Sequence, residues 1–508
     1  MIQNIDIHMR MRSGFLLNHS TFTKYLSKSP LTTPPSQVLL MSEFKPFKVW
    51  TRWRPLEGIE ARTGEIYCQS HDGEGQTLSR ISITLQHQAK SLLQREQSWT
   101  SGFSFNGIFQ PNDSNHDVFE RVVSPAIPDV LRGKSCNFFA YGHSGSGKTH
   151  TIIGYEFEHK NELGLCLASA HHLARKLSVI NAQSTVSKFG IGLRVYELRK
   201  NKAIDLLNDG HECFVREGPD GRIHVRGETE LLENGKVRVR PITTRPCWDF
   251  VQLQDELQQG LMGRETATSS MHDQSSRTHA IMELEVITKD LLEARIQVNE
   301  RQSELVPVGK MATDIYIEEQ TRAILLTADG KYVSNPDYKI DQERIDAAER
   351  KKAEFESAVQ KAEEYEAEVF TATARVHPCI GGKLVFVDLA GAEFLSTSNT
   401  NAIKQTPLEK QQGKQINTDL LALKEVIRAR SLNQSRIPYR SSPLTMVLRE
   451  HFEATPDTRS AMILTVSPSE DQFGATMNTL KYGDLVGLAN ARSSFAPSAG
   501  QKKGQCIP

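Results

Sequence analysis

The sequence predicts an α/β domain with helices on both faces of a sheet, and three observations carry that prediction. Short apolar runs alternate with helix-like segments from residue 47 to about 286 and again from 383 to about 491, as in layered α/β folds. A glycine-rich stretch, residues 142–149, separates a strand-like run from a helix-like one. The apolar run at 383–388 ends in a carboxylate. Polar loops are therefore expected where strands of this sheet end.

Length, charge and cysteine usage narrow the class of protein. At 508 residues the chain exceeds the size at which one core stops growing, so one large domain with appendages or two domains are expected. Lys plus Arg and Asp plus Glu number 61 each, which makes no general demand for nucleic acid or an anionic membrane. No apolar run reaches about 18 residues, so no membrane span is predicted. The seven scattered cysteines lack a C-x-x-C pair and fit a reducing compartment better than disulfides or a zinc site.

The glycine-rich stretch fits the phosphate-loop pattern G-x-x-x-x-G-K-[ST] without a gap. It comprises Gly142, His143, Ser144, Gly145, Ser146, Gly147, Lys148 and Thr149. The glycines let the backbone form a nest of N–H groups, Lys148 can reach the β- and γ-phosphates, and the Thr149 hydroxyl can ligate Mg²⁺. The sequence therefore predicts a site for a nucleoside triphosphate with Mg²⁺. A Gly/Ser turn that matches by accident is the alternative.

Two further segments are typical of such a site. Asp388 closes its apolar run, which delivers a carboxylate to the sheet edge beside the phosphate loop. Ser275, Ser276 and Arg277 precede an alternating strand at 280–287. Two hydroxyls and an arginine ahead of a strand predict a sensor of the γ-phosphate.

The two ends of the chain differ from the α/β part. Residues 1–43 have many Ser and Thr, few acids and the pair Pro34-Pro35, which predicts a disordered leader or translation upstream of a start at Met41. A transit peptide is the alternative. Residues 492–508 are expected to be a flexible tail.

Residues 288–382 interrupt the α/β pattern and predict a charged, partly helical insertion. Asp329-Gly330 between apolar pairs indicates a short hairpin. Apolar residues at seven-residue spacing within 341–369 predict a helix of about eight turns that packs one narrow stripe. A solvated surface helix and a partner-binding coiled coil are both open. Ten acids against five bases in that stretch would repel an acidic partner.

Three motifs, in order, resemble those of the kinesin motor domain family: the phosphate loop, switch I (N-x-x-S-S-R-S-H) at 272–279 and switch II (D-L-A-G-S-E) at 388–393. Further matches extend along the chain. They include Arg52-Trp53-Arg54-Pro55, Val118-Phe119-Glu120, Tyr196-Glu197, Asp205-Leu206-Leu207, Ile416-Asn417, Ile437-Pro438-Tyr439-Arg440, Val466-Ser467-Pro468 and Thr479-Leu480-Lys481-Tyr482. The resemblance implies a P-loop NTPase with a mixed, mostly parallel central sheet, divided into a first part at 44–287 and a second at 383–491. On that fold the insertion would replace a short turn between adjacent strands.

The resemblance also implies which base is bound. Arg52, Arg54 and Pro55 would flank an adenine, and His150 would stack on its face. The nucleotide would therefore be ATP with Mg²⁺. An ordinary helix-surface histidine is the alternative interpretation of His150.

The residues implied to be catalytic lie in the two switches. They are Ser275, Ser276, Arg277, Asp388, Gly391 and Glu393. The two serines would close on the γ-phosphate, with Ser276 also at the metal, and Asp388 would hold a Mg²⁺-bound water. The Gly391 N–H would contact the γ-phosphate. Arg277 and Glu393 would form a latch, or would only stabilise the fold.

The family's partner is the microtubule, whose surface is acidic, and the resemblance implies binding through residues about 394–450. This segment has nine bases and four acids in an otherwise neutral chain, which indicates an acidic partner. No nucleic-acid partner is expected, because the net charge of the whole chain is zero. A solvated helix face is the alternative. No heptads follow residue 491, so the resemblance implies a monomer.

Four positions depart from the family pattern. They are His272 for Asn, Ala392 for Ser, Gln412 for Glu, and Pro443 for Lys. Proline has neither a charge nor an N–H to offer a partner. The resemblance thus implies a cytoplasmic, microtubule-stimulated ATPase that couples hydrolysis to movement. The alternative is a degenerate head that binds nucleotide or tubulin as a scaffold or regulator. A GTPase is disfavoured because no N-K-x-D base reader occurs.

Overall fold

A computed structural model describes most of the chain between residues 47 and 494. The described residues are 47–56, 58, 60, 66–73, 76–85, 97–159, 161–184, 188–199, 202–218, 221, 223–227, 230–231, 237–238, 240–266, 277–326, 330, 332–392, 407–432, 434–453 and 459–494. All of them lie in one compact unit, Glu43–Pro508. The predicted leader, Ser275, Ser276, Glu393 and residues 394–406 lie outside the described residues.

The described residues form eighteen strands and eleven α-helices. The strands are β1 (Lys48–Trp53), β2 (Ile66–Gly73), β3 (Gln76–Leu85), β4 (Gln97–Thr100), β5 (Gly107–Phe109), β6 (Ser135–Tyr141), β7 (Phe189–Arg199), β8 (Lys202–Asp205), β9 (His211–Glu217), β10 (Ile223–Gly227), β11 (Glu230–Leu231), β12 (Val237–Arg238), β13 (Arg245–Cys247), β14 (His279–Thr288), β15 (Ile324–Leu326), β16 (Tyr332–Ser334), β17 (Lys383–Asp388) and β18 (Arg459–Val466). The helices are α1 (Asn115–Val118), α2 (Ile127–Val130), α3 (Lys148–Ile152), α4 (Leu165–Gln183), α5 (Phe250–Thr266), α6 (Lys289–Arg322), α7 (Gln342–Val376), α8 (Pro407–Ser431), α9 (Pro443–Val447), α10 (Arg449–Glu453) and α11 (Phe473–Ser494). Helix α11 therefore continues to residue 494, three residues into the segment expected to be a tail.

The central sheet is mixed, as the sequence predicted. Its strand order is β10-β9-β8-β7-β14-β17-β6-β18-β1-β5, with β13 beside β7. The run from β17 to β5 is parallel, whereas the strands from β10 to β17 pair antiparallel. The parallel part places the ends of β6 and β17 side by side, because parallel strands end at the same edge.

Helices cover both faces of the sheet, which confirms the predicted α/β class. On β6, Phe138 and Ala140 pack in a core with the apolar faces of α4 and α5. Phe139 and Tyr141 point to the other face, where they pack with α8 and α11. This alternation is the two-residue period of a strand, so a strand buried on both sides is an unbroken apolar run.

The insertion is a long helical arm, residues 289–376, formed by α6, β15, β16 and α7. It leaves from the end of β14 and returns to β17, and these two strands are antiparallel neighbours. The helices pack against each other, with Arg295 bonded to Glu366 near the sheet and Arg344 bonded to Glu318 near the far end. Helices of 34 and 35 residues make the arm about 50 Å long.

The arm differs from its sequence-based description in one respect. The expected helix at 341–369 corresponds to α7 and its N-cap residue Asp341, but α6 was not predicted. Pro307 and Gly309 lie inside α6, and both residues lower intrinsic helix propensity. Packing along α7 outweighs that cost, as tertiary contacts commonly do.

Charged side chains join the arm to the sheet. Arg295 donates two hydrogen bonds to Glu285 of β14, at 2.9 and 3.2 Å, and one to Glu366 at 3.1 Å. Burial alone would raise the pKa of Glu285, but Lys383 and Arg295 outweigh it and lower that pKa to about 2. The carboxylate is therefore ionised and paired inside the fold. No helix among the described residues is both long and apolar enough to cross a membrane.

Candidate nucleotide site

The phosphate loop follows β6 directly and contacts the segment after β17. Asp388 lies opposite Ala140 in the parallel pair. Beyond it, the Leu389 N–H donates to the Ala140 carbonyl at 3.2 Å and the Ala392 N–H donates to the Gly142 carbonyl at 3.1 Å. The start of the segment that resembles switch II is thus hydrogen-bonded to the phosphate loop.

Three glycines have the conformations that the loop requires. Gly145 and Gly147 have φ of 73° and 100°, which a residue with a Cβ adopts only with strain. At Gly142 a Cβ would lie 2.3 Å from the Thr465 carbonyl oxygen. The loop is also fixed to β18, because the Ser146 hydroxyl lies 2.7 Å from the Thr465 hydroxyl.

Lys148, Thr149 and Asp388 supply the chemical groups that a Mg²⁺-nucleotide needs. The Lys148 ammonium is buried and donates to the carbonyls of Gly142 and His143 at 3.1 and 2.9 Å. The Thr149 hydroxyl donates to Asp388 Oδ2 at 2.8 Å. A hydroxyl and a carboxylate are oxygen ligands of the kind that Mg²⁺ prefers. The donor set therefore fits a Mg²⁺-triphosphate.

Arg52 holds the helix after the phosphate loop. It is buried, and its guanidinium donates to Asn115 Oδ1 at 2.5 Å and to the Thr151 hydroxyl at 3.0 Å. Burial lowers the pKa of Arg52 to about 10, so the group stays charged at neutral pH. Its contact with a base remains a prediction, whereas its bridge between β1, α1 and α3 is visible.

Arg54 and Pro55 lie at the rim. The Arg54 guanidinium makes a two-point contact with Glu60, at 2.9 and 2.5 Å, and donates to the Pro55 carbonyl at 2.9 Å. Pro55 is exposed. This places an exposed proline ring beside a largely buried, fixed cation at the end of β1.

Two histidines of the site have lowered pKa values. Burial, followed by the nearby Arg52 charge, lowers the pKa of His150 to about 4, and its ring lies 5.7 Å from that of Tyr155. Burial also lowers the pKa of His143 to about 4. Both rings are therefore neutral at physiological pH, which suits stacking on a neutral base.

His279 connects three segments, and sequence reasoning gave it no role. The ring is buried, and Nδ1 accepts a hydrogen bond from the Ala390 N–H at 3.1 Å. Its Nε2 lies 3.8 Å from Asp419 Oδ2 on α8. The neighbouring Thr278 hydroxyl donates to Glu197 at 2.8 Å. The last residue of the segment that resembles switch I, which is also the first residue of β14, thus contacts both the switch II segment and α8.

The other switch residues are only partly described. Arg277 lies in the turn before β14, and Gly391 is buried just after β17. Ser275, Ser276 and Glu393 lie outside the described residues, as does His272. The predicted closure on the γ-phosphate and the Arg277–Glu393 latch therefore stay predictions.

The basic segment at 394–450 carries less free charge than its composition indicates. Arg440 makes a two-point contact with Glu217, at 2.6 and 2.7 Å, and Arg449 reaches the same carboxylate at 3.3 Å. Arg430 packs over the ring of Phe452, 4.9 Å from its centroid. A residue count could not find these contacts, because Glu217 is more than two hundred positions away in sequence.

Pro443 has a local structural role. It is the first residue of α9, where the missing N–H costs nothing. Ser442, the residue before it, forms a reciprocal capping box with Thr445. A proline at this position therefore starts the helix.

Within the described ranges, no three His, Cys, Asp or Glu side chains cluster closely enough to hold a metal ion. A Mg²⁺ held by one hydroxyl, one carboxylate and phosphate oxygens does not need such a cluster.

Comparison with known proteins gives consistent matches. A family model described as kinesin motor domain matches residues 52–308 and 347–487, on either side of the far half of the arm. The chain is 26% identical over 469 residues to kinesin-like protein KIF24 of Mus musculus, and 27% identical over 442 residues to kinesin-like protein KIN-13A of Oryza sativa subsp. japonica. These alignments cover 92% and 86% of this chain but only 25% and 40% of the two relatives.

Solved structures share the fold. The motor domain of the Kar3-like kinesin from Ashbya gossypii superposes with a TM-score of 0.50 and 17% identity, covering 87% of this chain and 99% of that one. The C-terminal motor and motor homology domain of Kar3Vik1, fused to a synthetic coiled coil, gives a TM-score of 0.52 and 18% identity, covering 87% and 84%.

Proposed function

This chain belongs to the kinesin motor domain family, and on that basis we propose that it hydrolyses ATP with Mg²⁺ and couples hydrolysis to microtubule binding and movement. The observation that carries the proposal is the Thr149–Asp388 hydrogen bond of 2.8 Å beside the buried Lys148. A hydroxyl, a carboxylate and an ammonium from two adjacent strand ends are the groups that this chemistry needs. We propose that it acts on microtubules in the cytoplasm.

Positioning accounts for most of the chemistry of phosphoryl transfer. Lys148 would bind the β- and γ-phosphates, and Thr149 and Asp388 would hold Mg²⁺ directly and through water. Bound Mg²⁺ supplies charge neutralisation at the phosphates. Gly145 and Gly147 have positive φ, and a loop of this shape would present its N–H groups to the triphosphate. The serines of switch I would orient the attacking water.

Coupling would start at the contacts between the loop and the switch II segment. The Ala392 N–H bonds the Gly142 carbonyl, and the Ala390 N–H bonds His279. Loss of the γ-phosphate would release these segments, and Asp419 beside His279 would convey the change to α8. Helix α8 lies within the basic segment proposed to contact the microtubule.

A second candidate is a head that binds nucleotide or tubulin without movement. The pairing of Arg440 and Arg449 with Glu217 favours it, because these bases would have to exchange an internal partner for tubulin. Pro443, where the family pattern has a lysine, also lowers the charge of this surface.

Steady-state ATPase measured with and without microtubules separates the two candidates. Marked stimulation supports the motor, and tight co-sedimentation with little turnover supports the scaffold. An ATPase rate and a sedimentation profile of the chain that are both unchanged by microtubules would refute both candidates.

Lys148→Ala tests the nucleotide site itself. We expect it to abolish binding of a fluorescent ATP analogue, because the only side-chain cation of the loop is removed. Lys176→Ala is the matched control, since Lys176 is exposed on α4 and its loss should leave binding unchanged. Equal affinity in the two variants would contradict the assignment.

Glu393→Ala tests the latch. The variant should still bind nucleotide but lose microtubule stimulation. Stimulation that survives in this variant refutes the latch role of Glu393.

A further inference from the structure

A cavity of about 250 Å³ lies where the arm meets the central sheet. Its walls come from β7, β10 and β14 of the sheet, from α6 of the arm and from α9 and α10. The volume equals that of roughly eight waters, which is enough for a molecule the size of leucine. Its lining residues are all different from those predicted to bind the nucleotide. We call this space the junction cavity.

Part of the lining is polar, buried and already paired. The Glu283 carboxylate accepts a hydrogen bond from the Tyr196 hydroxyl at 2.9 Å, and the same oxygen lies 3.3 Å from His451 Nε2. Arg194 Nη1 lies 3.5 Å from the other oxygen, and Arg194 Nε donates to the Thr244 hydroxyl at 2.7 Å. The protein itself thus compensates the charge of Glu283, which needs no cation from a ligand.

Two opposite charges at the junction cavity keep free hydrogen-bonding capacity. No described residue accepts a hydrogen bond from Nη2 of Arg194, and none donates one to the Glu450 carboxylate, whose nearest described basic nitrogens lie at 3.8 and 3.9 Å. Burial lowers the pKa of Arg194, but Glu283, Glu285 and Glu450 outweigh it and raise that pKa. The guanidinium is therefore charged. Arg194 and Glu450 line one space without forming an ion pair with each other.

The rest of the lining includes an apolar set and an amide of the arm. The apolar set is Ile223, Val225, Ile242 and Val447. The amide is that of Asn299, whose side chain hydrogen-bonds no other described residue. Water can solvate the charges but leaves the apolar set hydrated, which costs free energy in proportion to its area. A ligand that suits this cavity therefore has an aliphatic body as well as charged groups.

We propose that the junction cavity binds a small aliphatic α-amino acid. Its carboxylate would accept hydrogen bonds from Arg194, because a guanidinium matches the geometry of a carboxylate, and its ammonium would donate to Glu450. A simple anion would leave Glu450 unmatched and a simple cation would leave Arg194 unmatched, whereas a zwitterion matches both. The other arginine of the lining, Arg226, is already hydrogen-bonded to His224 Nδ1 at 2.6 Å.

A bound amino acid would connect three parts of the molecule. Arg194 belongs to the sheet, Asn299 to the arm and Glu450 to α10. Because a ligand that binds only the folded state stabilises that state, the amino acid should also raise the melting temperature of the chain. This site is separate from the proposed ATPase and needs neither nucleotide nor microtubules.

Equilibrium dialysis of the full chain against tritiated L-leucine, without nucleotide or microtubules, tests the proposal. We expect saturable binding of one equivalent with a dissociation constant below about 1 mM. Two analogues of leucine, 4-methylpentanoate without the ammonium and isoamylamine without the carboxylate, should compete roughly tenfold less well, because each leaves one charge unmatched.

Asn299→Trp and Glu450→Gln test the location of the site. The indole would fill the cavity from the arm, and the amide would remove the charged partner of the ammonium, so each variant should weaken leucine binding roughly tenfold. Gln297→Trp and Glu453→Gln are the matched controls, because both positions are exposed on the same two helices and lie outside the lining. The controls should bind leucine as the unmodified chain does, and thermal melts establish that all four variants fold.

Three outcomes would overturn the proposal. The first is the absence of saturable binding up to about 10 mM leucine. The second is binding that Asn299→Trp and Glu450→Gln leave intact, or that the two controls weaken equally, since leucine would then bind elsewhere. The third is competition by 4-methylpentanoate or isoamylamine that is as strong as competition by leucine, which would refute a site for a zwitterion.

Discussion

At the scale of single residues, the proposed nucleotide site depends on side chains whose charge is set by burial. His150 and His143 both have pKa values lowered to about 4, well below the ordinary value near 6.5. Neither ring gains a proton between pH 6 and 8. Such a histidine binds protons more readily in the unfolded chain, so its effect on stability is absent above pH 6.5 and becomes destabilising as pH falls toward 4.

His150 gives the first residue-scale prediction. Affinity for a fluorescent ADP analogue should stay constant between pH 6 and 8 and should fall roughly tenfold in His150→Ala, because stacking on a base contributes about 1–3 kcal/mol. His150→Phe should retain most of the affinity, since it keeps a neutral ring. An affinity that follows a titration near pH 6.5 in the unmodified chain but not in His150→Phe would contradict a neutral His150.

His279 gives the second. His279→Ala leaves the buried Ala390 N–H without its acceptor, at a cost of about 1–3 kcal/mol in unfolding free energy. The microtubule-stimulated kcat should fall while nucleotide affinity is kept, because the residue contacts Ala390 and α8 rather than the phosphate loop. His279→Asn, which can still accept a hydrogen bond, should recover part of the rate. Equal rates in the two variants, or a parallel loss of nucleotide affinity, would assign His279 a purely structural role.

The motifs identified the residues of the site but not all of their partners. Lys148, Thr149 and Asp388 could be found because a fixed spacing implies fixed chemistry. Asp419 and Glu217 could not, since their importance arises from contacts with His279 and Arg440 that span more than a hundred residues. Composition also overstated the basic segment, because a residue count cannot include an internal counter-charge.

At the scale of elements, the ion pair between Arg295 and Glu285 is one of the contacts that hold the base of the arm. Arg295→Ala removes the two-point contact with Glu285, which is 4% exposed at its side chain. We expect a loss of about 3 kcal/mol in unfolding free energy, measured by urea denaturation at pH 7, because a buried carboxylate loses the two hydrogen bonds that Arg295 donates.

The control for this prediction is Arg301→Ala, which breaks an exposed pair with Glu304 and should change stability by less than about 0.5 kcal/mol. The pKa of Glu285 is lowered from 4.5 to about 2. The difference between the unmodified chain and Arg295→Ala should therefore be full above pH 4.5 and narrow as pH falls toward 2. A difference that grows on acidification would contradict the pairing.

Predictability from sequence differed among elements. Helix α7 was indicated by its seven-residue apolar spacing, whereas Pro307 and Gly309 concealed α6. The alternating strand at 280–287 was expected, but its acidic residues gave no sign that both faces are buried. The acidic side chains of this strand can be buried because Arg295 of the arm pairs with Glu285 and His451 of α10 contacts Glu283.

At the scale of the whole molecule, the α/β domain should fold and bind nucleotide without the far half of the arm. Replacing residues 309–354 by a short Gly-Ser turn keeps the base contacts of Arg295 and removes β15 and β16. We expect unchanged nucleotide affinity and a melting temperature within a few degrees of the unmodified chain. A head that no longer binds nucleotide after this deletion would show that the far half of the arm is part of the core.

The overall fold was predictable because ordered motifs tie the strands to one topology. The architecture of the insertion was not predictable, since no pattern in residues 288–382 indicates that its two halves form helices that pack antiparallel. The match of the family model on both sides of residues 309–346 agrees with an elaboration built outward from the common head.

The attachment of the arm has a mechanical consequence. Helix α6 begins at the residue after β14, whose other end is His279, and a six-residue turn joins α7 to β17, which ends at Asp388. A sideways pull on the far end acts through a lever about 50 Å long and twists this strand pair about its hydrogen bonds. Tension applied at that distance would therefore load the two sides of the nucleotide site together, so the rate of the head would depend on what holds the arm.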